Sequence, residues 1–126
     1  MAVQITTVTF DCADPMGLGS FWAEVLGSEL APGSDADGAR VRDPNGVTDG
    51  LYFQPVPEAK ALKNRVHIDL RPSGSMAAEV ARLLELGATV QGRVDEGGSF
   101  WTVMQDPEGN ELCVLRGPDD GWTPDA

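Results

Sequence analysis

Apolar residues along this chain recur first with period two and then with helical period, and they do so twice. Over residues 5–12, Val8, Phe10 and Cys12 alternate with Thr7, Thr9 and Asp11, the pattern of a strand buried on one face. Leu18, Phe21, Trp22, Val25 and Leu26 follow at helical spacing, giving an apolar stripe that should lie on the Val8/Phe10 side of the strand. Asp14 is placed to cap this helix, Pro15 to occupy its first position and Gly27 to close it. Residues 31–38 (APGSDADG) read as a turn or mobile loop. Ala39–Arg42 and Leu51–Gln54 read as strands on either side of the turn Asp43-Pro44-Asn45-Gly46.

The second half repeats the logic. Val66, Ile68 and Leu70 alternate with His67, Asp69 and Arg71, Ser75 is a helix cap, and Met76, Val80, Leu83 and Leu84 form one stripe. Strands are expected around Thr89–Val94, Phe100–Gln105 and Glu111–Leu115, with turns at Glu96-Gly97-Gly98 and Pro107-Glu108-Gly109-Asn110. Thr7–Gly27 and His67–Gly87 thus share a strand, a turn and a helix ending in Leu-Gly, and Asp43-Pro44-Asn45-Gly46 echoes Asp106-Pro107-Glu108-Gly109. A solenoid needs at least about three shorter units. Two long ones describe paired modules with a shared cleft, each a strand, a helix and three strands. Module one is assigned to about residues 1–56, a connector to 57–64, module two to 65–117 and a polar tail, carrying Trp122, to 118–126, all within a single domain.

Composition changes this picture mainly by exclusion. The chain has 126 residues, 41% of them hydrophobic and 23% charged, enough to bury one core and too apolar for disorder. A formal charge of −11, with no basic cluster evident in the sequence, argues against nucleic acid or anionic membranes as partners. No apolar run approaches the roughly 20 residues of a membrane span, and MAVQITTVTF lacks a secretory pattern, so a cytoplasmic location is expected. Two cysteines make no disulfide framework. Cys12 has the parity of a small core residue. No phosphate-binding glycine motif, GxSxG elbow or supported Cys–His–third-residue set is present, and Asp35, Asp37, Glu58, Asp119 and Asp120 read as surface charge.

The order of elements, with FDCADPMGLGSFWAEVLG, NRVHIDL and DPEGNELCVL, resembles the vicinal oxygen chelate superfamily from about Ile5 to Gly117. Its glyoxalase-like members, related to glyoxalase I, bleomycin-resistance proteins and extradiol dioxygenases, are the nearest likeness. The resemblance implies an α+β fold of two βαβββ modules whose curled mixed sheets surround a shared cavity, commonly in a homodimer. It also implies ligand positions for a divalent ion on the first and last strand of each module. Those positions carry His67 and Cys113 in module two, and Thr7 with Tyr52, or Gln54, in module one. Most of the usual metal set is therefore replaced. A catalytic centre generally keeps three protein ligands and an open position, so no cofactor is expected; an ion, if bound, would be held by His67 and Cys113. Strand alternation is taken to turn Glu111 away from Cys113.

The expected cavity face comprises Thr7, Thr9, Asp11, Tyr52, Gln54, His67, Asp69, Arg71 and Cys113, with Phe53, Phe100 and Trp101 as candidate aromatic wall. His67, the single histidine, is the candidate for acid–base work, with Asp69 placed to orient its ring. Arg71 either binds a ligand anion or pairs with Asp11 or Asp69. Two functional classes follow: a small-molecule-binding protein without the divalent-metal site, or a metal-dependent lyase, isomerase or dioxygenase using His67 as ligand or general base.

Overall fold

A computed structural model describes residues 2–46 and 48–124. The chain forms two compact units, Met1–Lys60 and Ala61–Ala126, and the boundary falls within the expected connector.

In the first unit, strand β1 (Thr7–Cys12) leads into helix α1 (Pro15–Val25), followed by β2 (Ala39–Arg42) and β3 (Gly50–Pro55). The sheet order is β1-β3-β2, with β1 parallel and β2 antiparallel to β3. Asp14 caps α1 by accepting the Gly17 amide at 3.0 Å, and Pro15 sits in the first turn. Leu18, Phe21 and Trp22 are buried with Val41, Leu51 and Phe53, so the helical stripe meets the apolar parity of the strands as the pattern required. Gly27 leaves the helix at φ +63°, a left-handed position that favours glycine.

Two differences from the expected pattern have local causes. The strand begins at Thr7 rather than residue 5, and Ile5 is 71% exposed. The first of the three strands expected after α1 is reduced to one bridge, Leu30 to Val41, because Ala31-Pro32-Gly33 turns the chain away. A second bridge, Asp35 to Gly38, closes the tight turn that precedes β2. At Gly50 (φ +143°) a Cβ would strike the Val41 carbonyl oxygen, so β2 and β3 can approach there only through glycine.

The second unit runs β4 (Ile68–Leu70), α2 (Met76–Leu86), β5 (Thr89–Glu96), β6 (Ser99–Gln105) and β7 (Glu111–Leu115). Its order is β4-β7-β6-β5, with β4 parallel to β7 and the other pairs antiparallel. Ser75 accepts the Ala78 amide at 3.1 Å, and Gly87 ends α2 at φ +114°. Met76 and Leu83 face Met104, Leu112 and Val114 in the buried layer, whereas Leu84, expected in the stripe, is 45% exposed. The fold is therefore α+β, two helices on two open sheets, and is consistent with two βαβββ modules. No helix among the described residues is long and apolar enough to cross a membrane.

The polar tail is built into the second unit. Pro118–Asp120 form a 3-10 turn, and Asp120 Oδ2 accepts the Gly117 amide at 2.9 Å and the Met76 amide at 2.7 Å. Asp120, read from sequence as plain surface charge, thus caps both its own turn and the start of α2. The Gly117 and Met76 amides, with Arg116 and Arg93 adding smaller attraction, hold its carboxyl below the usual 3.8. A depressed folded-state value contributes stability that is present above the unfolded value and lost as pH falls through the folded one. Asp120→Asn is expected to lower the melting temperature at pH 7 and to flatten the fall of stability below about pH 4; an unchanged acid limb would refute the capping role.

Candidate functional site

Strand parity sets the polar row of the first unit. The parallel ladder pairs Thr7 with Gly50, Thr9 with Tyr52 and Asp11 with Gln54, and β2 adds Arg40 beside Tyr52. Gln54 Nε2 donates to Asp11 Oδ1 at 3.2 Å, and the Arg40 guanidinium lies 5.4 Å from the Tyr52 ring centroid. The alternate residues Val8 and Phe10 turn to the helix side, Phe10 lying 5.5 Å from Trp22 and 5.3 Å from Phe53. Phe53 itself is fully buried, so it belongs to the core rather than to the aromatic wall proposed for it. Arg40, absent from the sequence candidates, was signalled by the alternation of Ala39-Arg40-Val41-Arg42. With Tyr52 it lines a cleft of about 290 Å³ against the 31–38 turn.

In the second unit the ladder places Asp69 beside Cys113, and His67, just before β4, folds back onto both. His67 Nδ1 is 3.1 Å from Asp69 Oδ1 and 3.8 Å from Cys113 Sγ. The three donor atoms lie within 4.8 Å of one another. A carboxylate at Nδ1 favours the proton on that nitrogen, which orients the ring and leaves Nε2 as the lone-pair site. Burial pushes the Cys113 thiol up to about 11, reinforced by the charge of Asp69 and a hydrogen bond to it and opposed by Lys63. Cys113 is therefore a neutral thiol at pH 7.

These donors can be tested against an ion. Tetrahedral zinc, with bonds of about 2.0–2.3 Å, needs ligand atoms about 3.4–3.6 Å apart, and the observed 3.1 and 3.8 Å bracket that. The imidazole, carboxylate and thiol fit a borderline-soft tetrahedral ion with one open position, provided the thiol gives up its proton and the imidazole carries its own on Nε2 instead of Nδ1. They do not supply the oxygen-rich octahedral shell of a hard ion. Asp69 is the third donor that the sequence reading did not count.

One reading is corrected, and for Arg71 one of its alternatives is narrowed. Residues two apart on a strand share a face, so Glu111 lies on the side of Cys113. It is kept from the cluster because its Oε2 accepts the Asn64 amide at 3.0 Å. Arg71 lies beyond the end of β4 and does not pair with Asp69: Nη1 donates to the Arg116 carbonyl at 2.7 Å, and the guanidinium stacks 4.0 Å from the Trp122 ring centroid. Trp101, half-buried, lines the same end of the sheet.

A helix-backed open sheet with a parallel first-to-last strand pairing, occurring once in each unit, is the class of fold built by vicinal oxygen chelate proteins. Residues 7–115 match the model of the Glyoxalase-like domain, and the chain belongs to that family. Solved structures share the fold at low identity. A glyoxalase/bleomycin resistance protein/dioxygenase family enzyme from Burkholderia phytofirmans is 14% identical with a TM-score of 0.70, over 89% of this chain and 97% of that one. A possible glyoxalase from Bacillus cereus is 19% identical with a TM-score of 0.66, over 90% and 99%. A mutant fosfomycin resistance protein from Listeria monocytogenes, complexed with Mn(II) and 1S,2S-dihydroxypropylphosphonic acid, is 12% identical with a TM-score of 0.74, over 93% and 92%. No curated protein matches the sequence.

Proposed function

We propose that this chain is a glyoxalase-like small-molecule-binding protein that works without the family's divalent ion. The observation that carries the reading is the mutually bonded His67–Asp69–Cys113 cluster: the imidazole is hydrogen-bonded to the carboxylate, and the thiol is neutral and bonded to the same carboxylate. The group thus satisfies itself without a metal. Within each unit the polar positions are then the proposed ligand contacts: Thr7, Thr9, Asp11, Tyr52 and Gln54 in the first, and His67, Asp69, Arg71, Trp101 and Cys113 in the second. We propose further that the protein is cytoplasmic and homodimeric. Val3, Ile5, Leu62 and Val66, between 71% and 98% exposed, are apolar surface that association would cover.

The donor spacing favours one second reading, a metal-dependent lyase, isomerase or dioxygenase in which His67, Asp69 and Cys113 hold zinc. The ion would act there as a Lewis acid, while Asp69 and His67 fix the geometry of its shell. Elemental analysis of untagged protein, followed by Zn²⁺ titration, separates the two. The binding reading expects no retained metal and no stabilisation by zinc. It also expects a thermal-shift ligand whose effect shrinks about tenfold in apparent affinity in His67→Ala. Near-stoichiometric zinc lost in Asp69→Ala would overturn it in favour of the enzyme.

A further inference from the structure

At the end of the second sheet, where β6 begins and β7 leaves, the tail folds back to make a cleft of about 370 Å³. Arg71, Phe100, Trp101, Arg116 and Trp122 line it. Three guanidiniums gather around its aromatic rings: Arg71 over Trp122 at 4.0 Å, Arg93 over Phe100 at 4.4 Å and Arg116 over Phe100 at 5.5 Å. The chain has nine Lys and Arg against 20 Asp and Glu, so collecting three cations here runs against its overall charge. None of the three is in an ion pair within 4.0 Å among the described residues. Asp120, the neighbouring carboxylate, is turned to the Gly117 and Met76 amides. Stacking leaves the edges of a guanidinium, where its N–H groups lie, open to a carboxylate in its own plane. The volume lies within the range of about 300–1,000 Å³ typical of small-ligand sites.

We infer that this cleft binds a small aromatic carboxylate, whose ring packs among Trp101, Trp122 and Phe100 and whose carboxylate is taken by Arg116 and Arg71. The inference rests on the binding function proposed above and supplies its ligand class. It places that ligand in this cleft, on Arg116, Phe100 and the tail residue Trp122 together with Arg71 and Trp101.

Benzoate, its neutral isostere benzamide and inorganic phosphate are titrated by calorimetry at low ionic strength into the full chain. Benzoate is expected to bind at least about tenfold more tightly than either of the others, a difference of about 1.4 kcal/mol. Arg116→Gln and Trp122→Ala should each weaken benzoate about tenfold or more, while Glu85→Gln on the exposed side of α2 should leave it unchanged. Arg116→Lys keeps the charge and the stem but not the fork; weakened binding at an unchanged melting temperature is expected. Absence of benzoate binding, equal binding of benzamide or phosphate, or wild-type affinity in both variants would overturn the inference. If benzoate fails while another ligand binds in a His67-dependent way, the broader binding function stands and this ligand class falls.

Discussion

Trp22→Ala is expected to cost about 3–5 kcal/mol, the range for removing a large aromatic side chain from a packed core. Trp22 is 1% exposed and lies 5.5 Å from the Phe10 ring and 5.6 Å from the Phe21 ring, the latter edge-on at 88°. Deletion removes both contacts and opens a void between α1 and the sheet. Two aromatic pairs contribute about 0.5–1.5 kcal/mol each beyond the area they bury. A domain is stable by only about 5–15 kcal/mol, so the loss would consume much of the total. In urea unfolding, the midpoint should fall with little change in slope. Trp22→Phe, which keeps most of the volume, should lose less than half as much. A loss below about 1 kcal/mol for Trp22→Ala would mean that α1 repacks and that the buried stripe is not what holds it.

That helix was legible in the sequence because its signal is local: spacing, an aspartate cap, a proline and a glycine occur within one short window. The polar row of the first sheet was legible for the same reason, since alternation alone assigns Thr9, Asp11, Tyr52 and Gln54 to one face. What alternation cannot supply is the neighbour across the ladder. Asp69 becomes a partner of Cys113 through a parallel register between residues far apart in sequence, and no periodicity records that. Strand ends were lost for a related reason. Val66 continues the pattern of Ile68 and Leu70, yet it is 76% exposed, because β4 pairs with β7 only over Ile68–Leu70. His67 consequently approaches Cys113 from the loop, and Arg71 leaves for the tail. The tail looked like solvent-exposed sequence because its role depends on Asp120 meeting the amide of Met76, 44 positions away.

Asp106→Ala is expected to cost about 3–4 kcal/mol, although Asp43, its counterpart in the repeated Asp-Pro-x-Gly turn, looks equivalent in sequence. Asp106 is 3% exposed. Its Oδ1 accepts the Glu108 amide at 2.9 Å, the Asn110 amide at 3.0 Å and Asn110 Nδ2 at 3.1 Å, while Oδ2 accepts the same Nδ2 at 2.9 Å. Hydrogen bonds to a charged acceptor contribute about 1.5–3 kcal/mol each, and donors stranded in the interior add a desolvation cost. Some of these donors will find water, which keeps the total below the sum. At Asp43 the carboxylate is only half-buried, and the residue four positions on is Val47 rather than an asparagine. Asp43→Ala should therefore cost under about 1 kcal/mol. The contrast bears on the site, because the Asp106 turn feeds directly into β7 and fixes the register that sets Cys113 beside Asp69. Slower alkylation is the mark of a buried, high-pKa thiol; in Asp106→Ala, Cys113 should react faster with iodoacetamide at pH 8 than in the native protein. Similar losses for Asp43→Ala and Asp106→Ala would show that the turn, not its buried carboxylate, holds β7 in place. Unchanged alkylation in an otherwise destabilised Asp106→Ala would separate the turn from the site.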